Sequence, residues 1–365
     1  MTSKEKISAI LAGDGSVGMG ISEHFWPETV DKWVKEGHLE EGENPEFHFD
    51  FDIIRNWCSG DMTADPHNPE TIIEETEETK LFKNGNGATL KLWKNKSGVP
   101  EHVDFDIKDY AAWTEKIKPV ALDESLYDVR LKDVVGPYRE KKAMAAEKDK
   151  FFCWAGVSVF EIMHPVCGHE YMLMGMALEP DWIKEMGEVY SDLVIKLAKK
   201  LFAEEGEPDG MWFYEDMGFK FKPFMSPAMY MELVQPYQKK LFSFAHSLDK
   251  QVMVHSCGYV EALIPGLIDA GMNCLQAMEV KAGMDVKKIA KDYSGKIALC
   301  GGLDIRVLET NDKSQVKAYL EDTLPTVLDN VPYILHTDHS IPQSVEYDTY
   351  RYFIDTAFEI EAKRG

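Results

Sequence analysis

QVMVHSCGYVEALIPGLIDAGMNCLQAME, Gln251 to Glu279, is the stretch that decides the fold. Two short apolar runs, QVMVHSCG and MNCLQAME, flank a segment of different period, which is the pattern of a strand, a helix and a second strand in a parallel sheet. The same alternation runs from about Lys150 onward. FFCWAG, GMWFYED, KIALCGG and PYILHTDH are further strand candidates. Between them, DWIKEMGEVYSDLVIKLAKKLFAEEG carries apolar residues at spacings of three and four, MSPAMYMELVQPYQKKLFSFAHSL has a Ser-Pro start, and DVKKIAKDYSG ends at a glycine stop. SVGMGIS and FHFDFDII in the N-terminal half bring the strand total to eight. Eight β/α units in 365 residues predict an α/β chain folded as a closed (β/α)8 TIM barrel, one domain over 1–365. An N-terminal helical segment precedes it. An insertion at about 60–150 holds TKLFKNGNGATLKLWKNKSG, whose Asn-Gly pairs predict a hairpin over about 78–95 that covers one mouth. An open doubly wound sheet is the alternative, but GDGSVGMG from Gly13 has no clear strand before it and does not make a phosphate fingerprint.

Composition narrows the function. A formal charge of −23 leaves little cationic surface for a phosphate backbone, so nucleic acid is not expected as a partner. No apolar run reaches the roughly 20 residues of a membrane span, and MTSKEKISAILAG lacks the apolar centre of a secretory signal, so a cytoplasmic location is expected. The six cysteines, Cys58, Cys153, Cys167, Cys257, Cys274 and Cys300, do not form the framework of a short secreted domain and are expected as free thiols.

In such a barrel the chemistry sits where the strands end. The fourth strand ends in Glu215-Asp216, the fifth in His255-Ser256-Cys257, the sixth in Gln276 and Glu279, the seventh in Cys300 and the eighth in Asp338-His339. His255 and Cys257, two apart on an extended chain, point to one side and supply a nitrogen and a sulfur suited to Zn2+. Glu279, Cys300 and His339 are candidates for a third ligand. The competing reading makes Cys257 a small buried residue and His255 a backbone-bonded one. Adjacent acids diverge on a strand, so at most one of Glu215 and Asp216 faces the mouth. Asp338 beside His339 fits a proton relay or a turn. Glu215, Asp216 and Asp338 are therefore the candidate catalytic acids. His164 and His169 are expected to cap or pack a helix, with a substrate-facing role as the less favoured reading, and Met172, Met174 and Met176 to fill core gaps.

DGMWFYEDMGFKFKPFMSPAMYMELVQPYQKKLFSFAHSLDKQVMVHSCGYVEALIPGLIDAGMN, KAGMDVKKIAKDYSGKIALCGGLD and HTDHSIPQSVEYDTYRYF resemble the uroporphyrinogen decarboxylase superfamily over roughly the last two thirds of the chain. The resemblance implies a (β/α)8 barrel, often a homodimer. Its decarboxylases carry a Met-Arg-Gln-Ala-Gly-Arg motif that holds substrate propionates, whereas the matching region here, GISEHFWPETVDKW, has no arginine. The other branch comprises cobamide-dependent methyltransferases, whose thiol-methylating members bind zinc through a His-x-Cys pair and a distant cysteine of the last strand. His255 and Cys257 match the pair, but Asp338-His339 stand at the distant position. A harder ligand set suits an ether oxygen better than a thiol. The resemblance thus implies removal of a methyl group from a methoxylated aromatic, with zinc or an acid such as Glu215 stabilising the phenolate. The chain has no Asp-x-His-x-x-Gly motif, so the corrinoid (cobalamin) is expected on a partner corrinoid protein. Phe25, Trp26, Trp212 and Tyr214 are the candidate residues for the aryl ring, while Trp154 and Phe213 are expected in the core. A methylcobamide:thiol transferase of coenzyme M type, a decarboxylase using Asp216 or Asp338, and a non-catalytic binding protein are the alternatives.

Overall fold

The protein was analysed as a computed structural model that describes residues 1–62, 65–67, 70–95 and 100–364. The strands in chain order are β1 (Gly20–Ile21), β2 (Ile53–Trp57), β3 (Glu70–Glu75), β4 (Thr79–Asn84), β5 (Ala88–Trp93), β6 (Glu101–Phe105), β7 (Phe151–Val157), β8 (Gly210–Tyr214), β9 (Gly218–Phe219), β10 (Lys222–Pro223), β11 (Gln251–Ser256), β12 (Cys274–Ala277), β13 (Ala298–Cys300) and β14 (Tyr333–Leu335). Eight of them form one parallel sheet in the order β1-β14-β13-β12-β11-β8-β7-β2, with helices between successive members. All eight expected strands are present, and together they form a nearly closed (β/α)8 barrel. The expected runs are continuous because each strand is buried on both faces. Val252 and Val254 of β11 face the helices, while Met253 packs inside the barrel with Trp212, Cys274 and Ala298.

The seam between β1 and β2 is tied by Asp52. Its amide donates to the Ile21 carbonyl at 2.9 Å, and its carboxylate accepts from the Ile21 amide at 2.9 Å. Lys6 at 2.8 Å and Ser3 at 2.6 Å hold the same carboxylate from the helix Ser3–Leu11. That helix inserts Ile7, Ile10 and Leu11 into the interior beside Ile53 and closes the amino-terminal end of the barrel.

The second strand starts later than expected. Of FHFDFDII only the last two residues are extended; Pro45–His48 is helical, and Asp50 turns the chain with φ 56°. The aromatic alternation serves a cluster instead, with Phe49 and Phe51 stacked on Phe25 at 5.6 and 6.0 Å.

The hairpin over 78–95 is β4 and β5, turned through 84–87, but it belongs to a four-stranded antiparallel sheet in the order β3-β4-β5-β6. β3 escapes a sequence reading because every residue of it is exposed, so it has no apolar face. Parts of the expected insertion at 63–64, 68–69 and 96–99, including the end of the quoted hairpin stretch, lie outside the described residues. This sheet meets the barrel at the helix Val159–Leu178, which is kinked at Gly168. There φ is 74°, and the Phe105 ring sits 2.4 Å from where a Cβ would lie, so a side chain is excluded. Among the described residues no helix is long and apolar enough to cross a membrane.

Candidate metal centre at the mouth of the barrel

β8 and β11 are neighbours, with Tyr214 paired to His255. Two residues further along each strand stand Asp216 and Cys257, so the register carries both to the same level of the mouth. The loops that bear them are held together by glycines. A Cβ on Gly258 would lie 2.3 Å from the Gly218 carbonyl carbon, and one on Gly218 would lie 2.4 Å from the Cys257 oxygen. Only two residues without side chains pass this closely.

Asp216 Oδ1 accepts a hydrogen bond from the Cys257 amide at 2.8 Å and lies 3.4 Å from His255 Nε2. Cys257 Sγ is 3.2 Å from the same Nε2. One ligand atom from each of the three residues falls within 4.8 Å of the others. Behind them, His255 Nδ1 makes a short contact with Oε1 of Gln276. An amide oxygen accepts, which assigns the imidazole proton to Nδ1 and leaves the Nε2 lone pair facing Cys257 and Asp216. Burial first, and then the Asp216, Glu279 and Glu161 carboxylates, push the Cys257 thiol well above its ordinary range. A cation among these groups relieves that repulsion. Nitrogen, sulfur and oxygen from the ends of two neighbouring strands therefore fit a divalent ion such as zinc.

That cavity, of about 860 Å³, is lined by Asp216, Cys257 and Glu279 on the barrel side and by Leu90 and His102 of the antiparallel sheet. His164 and His169 line it too, in place of the expected capping or core role. The Gly168 kink turns them together, with rings stacked at 4.3 Å, and His169 also stacks on Phe224 at 4.8 Å. Glu161 Oε2 lies 3.2 Å from His164 Nε2. Burial, reinforced by His164 and His102, lowers the His169 pKa to about 4.

The remaining candidates are dispersed. Glu215 and Asp216 do diverge: Glu215 is fully buried and accepts from the amides of Phe160 (3.1 Å) and Glu161 (3.0 Å) and from Gln238 (2.7 Å). It caps the helix Val159–Leu178, and desolvation raises its pKa to about 8. Direct proton delivery to the cavity is closed to it. Asp338, 1 % exposed, gives one oxygen to the Ile305 amide and the other to the Val280 amide, both at 2.8 Å, and so clasps two loops instead of relaying protons. Glu279 accepts from the Gly258 amide at 2.8 Å and stands just behind the triad. Cys300 is sealed in the barrel interior with Cys274 and Ile334 and is not part of this donor group. His339 lies beside Trp26, rings 6.3 Å apart, and is not part of the group either.

Among the aromatic candidates, Tyr214 is half-buried with its ring 4.7 Å from that of His255. Trp26 is half-buried. Trp212 is fully buried, and Phe25 is packed between Trp33 at 5.3 Å and Tyr350 at 5.1 Å, which leaves neither a face for a ligand. Trp154 and Phe213 are buried as expected; Met172 and Met176 fill the core, but Met174 is exposed. Sequence reasoning missed Gln276 as the support of His255, and Glu161 and His169 as cavity walls. The Pro165 and Gly168 that break the helix were the available signal for the last two.

Residues 152–360, more than half of the chain, match the family model described as uroporphyrinogen decarboxylase (URO-D). No curated protein matches the chain in sequence. Among solved structures, a methyltransferase from Methanosarcina mazei shares the fold with a TM-score of 0.70 at 14% identity, covering 98% of this chain and 99% of that one. A xylose isomerase domain protein from Alicyclobacillus acidocaldarius aligns with a TM-score of 0.32 at 9% identity, over 64% of this chain and 84% of that chain.

Proposed function

The chain belongs to the uroporphyrinogen decarboxylase family, and within it we propose that it is a methyltransferase: it takes a methyl group from a methoxylated aromatic and passes it to cobalt(I) of a corrinoid protein docked at the barrel mouth. The observation that carries this reading is the His255, Cys257 and Asp216 triad opening onto the cavity. The methyltransferase from Methanosarcina mazei, matched along almost its whole length, supports it as a relative in fold. Zinc bound by the triad would supply a Lewis acid for the ether oxygen as the carbon–oxygen bond breaks. Gln276 holds the His255 tautomer that binding requires. Phe219 and Phe224 offer apolar walls for the ring. Glu161 Oε2 and His164 Nε2, 3.2 Å apart on the cavity wall, are the pair placed to deliver a proton to the departing phenolate, the role first expected of Glu215. The methyl group leaves for cobalt, and the phenol leaves with the proton. The same reading makes the protein a cytoplasmic homodimer.

Asp216 as third donor favours an ether over a thiol, since a second thiolate would soften the ion. A polycarboxylate suits the site poorly. Of the three lysines and arginines lining the cavity, Lys281 lies 3.4 Å from Glu279 and Arg306 binds Asp304 through two nitrogens at 2.8 and 2.7 Å, which leaves Lys220, over the Phe221 ring, as a single cation against many carboxylates. The test is a panel of methoxyarenes with zinc-loaded protein and reduced corrinoid protein, followed by absorbance. Conversion of cobalt(I) to methylcobalt(III) is expected. Its absence with every donor, together with carbon dioxide release from uroporphyrinogen, would return the chain to the decarboxylases.

A further inference from the structure

The first strand brings no arginine to the mouth, but the second does. Alternation along β2 turns Ile53 into the barrel and Ile54 toward the helices, and Arg55 points inward again. Its guanidinium lies 4.4 Å above the Trp212 ring. Nη1 donates to the Tyr214 hydroxyl at 3.1 Å and Nη2 to the Glu23 carbonyl at 3.1 Å. Both acceptors are neutral. Among the described residues no carboxylate lies within 4 Å of this arginine, which is 9 % exposed. A buried guanidinium without an anion is rare, because desolvation of the charge is left uncompensated.

The acids whose charge reaches Arg55 are Glu46 and Glu23. Glu23 has spent its carboxylate elsewhere. Oε2 accepts from the Thr337 amide and hydroxyl at 2.9 and 3.0 Å, Oε1 accepts from the His24 amide at 2.9 Å, and burial lifts its pKa to about 8. One polar atom near it is unpartnered: Nε2 of His336, on a side chain 2 % exposed whose Nδ1 lies 3.0 Å from Glu23 Oε1 and which is within electrostatic reach of Arg55. Arg55 and His336 thus place a positive charge and one unpartnered nitrogen within electrostatic reach of each other inside the barrel.

From these contacts we propose that Arg55 is the specificity-determining residue for the substrate, gripping a carboxylate on the aromatic ring whose methoxy group faces the triad. The planar fork of guanidinium matches the two oxygens of a carboxylate. Tyr214 connects the two ends, since its hydroxyl touches Arg55 and its ring lies 4.7 Å from His255. One aromatic ring therefore separates the guanidinium from the metal ligands. A single guanidinium answers one carboxylate, consistent with a methoxybenzoate and not with a porphyrinogen. The inference rests on the methyl-transfer reading for the role of the methoxy group, but not for binding of the acid.

Calorimetric titration of zinc-loaded protein with 4-methoxybenzoate and with the uncharged 4-methoxybenzamide tests it. The acid is expected to bind about tenfold or more tightly than the amide. Arg55→Gln is expected to abolish that preference, and Arg55→Lys to restore part of it. The wild-type comparison stands by itself if either variant fails to fold. Equal binding of acid and amide, binding of neither, or a preference that survives in Arg55→Gln overturns the proposal. Tight binding of the acid without methyl transfer to cobalt(I) keeps the subsite and removes the methyltransferase reading. Methyl transfer from acid and amide with equal kcat/KM does the reverse.

Discussion

Asp216 accepts the backbone amide of Cys257 at 2.8 Å, so the loop after β8 and the loop after β11 are one unit at the mouth of the barrel. The third donor of the candidate metal site comes from the strand next to the His-x-Cys pair. The last strand, where a partner was sought, supplies a loop clasp instead.

Zinc content should follow the triad and ignore the interior thiol. The wild type is expected to hold about one equivalent by elemental analysis, and His255→Ala and Cys257→Ser to hold none at the same zinc concentration. Cys300→Ser is expected to bind zinc as the wild type does while losing about 1–3 kcal/mol of stability, because a hydroxyl replaces a thiol in an apolar interior. Loss of zinc in Cys300→Ser with a normal fold would contradict this assignment.

Gln276→Leu removes the acceptor that holds the His255 proton on Nδ1. Zinc affinity, measured by competition with a chelating dye, should fall about 10–100-fold with little change in the thermal midpoint. An unchanged affinity would show that the tautomer is set by another group.

Gly258→Ala places a Cβ against the Gly218 carbonyl carbon at a residue whose φ is 75°. The loops must part, and a cost of about 1–3 kcal/mol is expected together with weakened zinc binding. Thermal melts with and without zinc check both effects, and a stability within error of the wild type would mean that the loops separate freely.

His169 carries a pH-dependent contribution. Its folded pKa, about 4, lies below the ordinary histidine value of 6.5, so between these values the unfolded chain binds the extra proton. The contribution is full above pH 6.5 and is lost as pH falls through that window. His169→Phe keeps the ring against Phe224 and removes the titration. The gap between variant and wild type should therefore shift in favour of the variant by about 1–2 kcal/mol on going from pH 7.5 to pH 5, read from urea melts. Parallel melts at both pH values would count against a half-buried neutral imidazole.

Much of this molecule was legible before folding. Strands buried on both faces leave uninterrupted apolar runs, which is why all eight were visible, and why β3, exposed along its length, was not. His255 and Cys257 were readable as a pair because alternation with period two is a local property. The aromatic stretch at Phe47, Phe49 and Phe51 misled for the same reason, since period two looks alike whether it faces a sheet or fills a cluster.

What the chain by itself determined was the barrel, the polar ends of its strands and two of the three donors of the candidate metal site. The tertiary structure decided the rest: which of two adjacent acids faces the mouth, that Asp216 stands beside a cysteine 41 residues away, and that among the described residues no carboxylate lies within 4 Å of Arg55. The physical reason is that neighbours across a sheet are set by strand order, register and the closeness of two glycine loops, none of which is written in the local pattern of either segment.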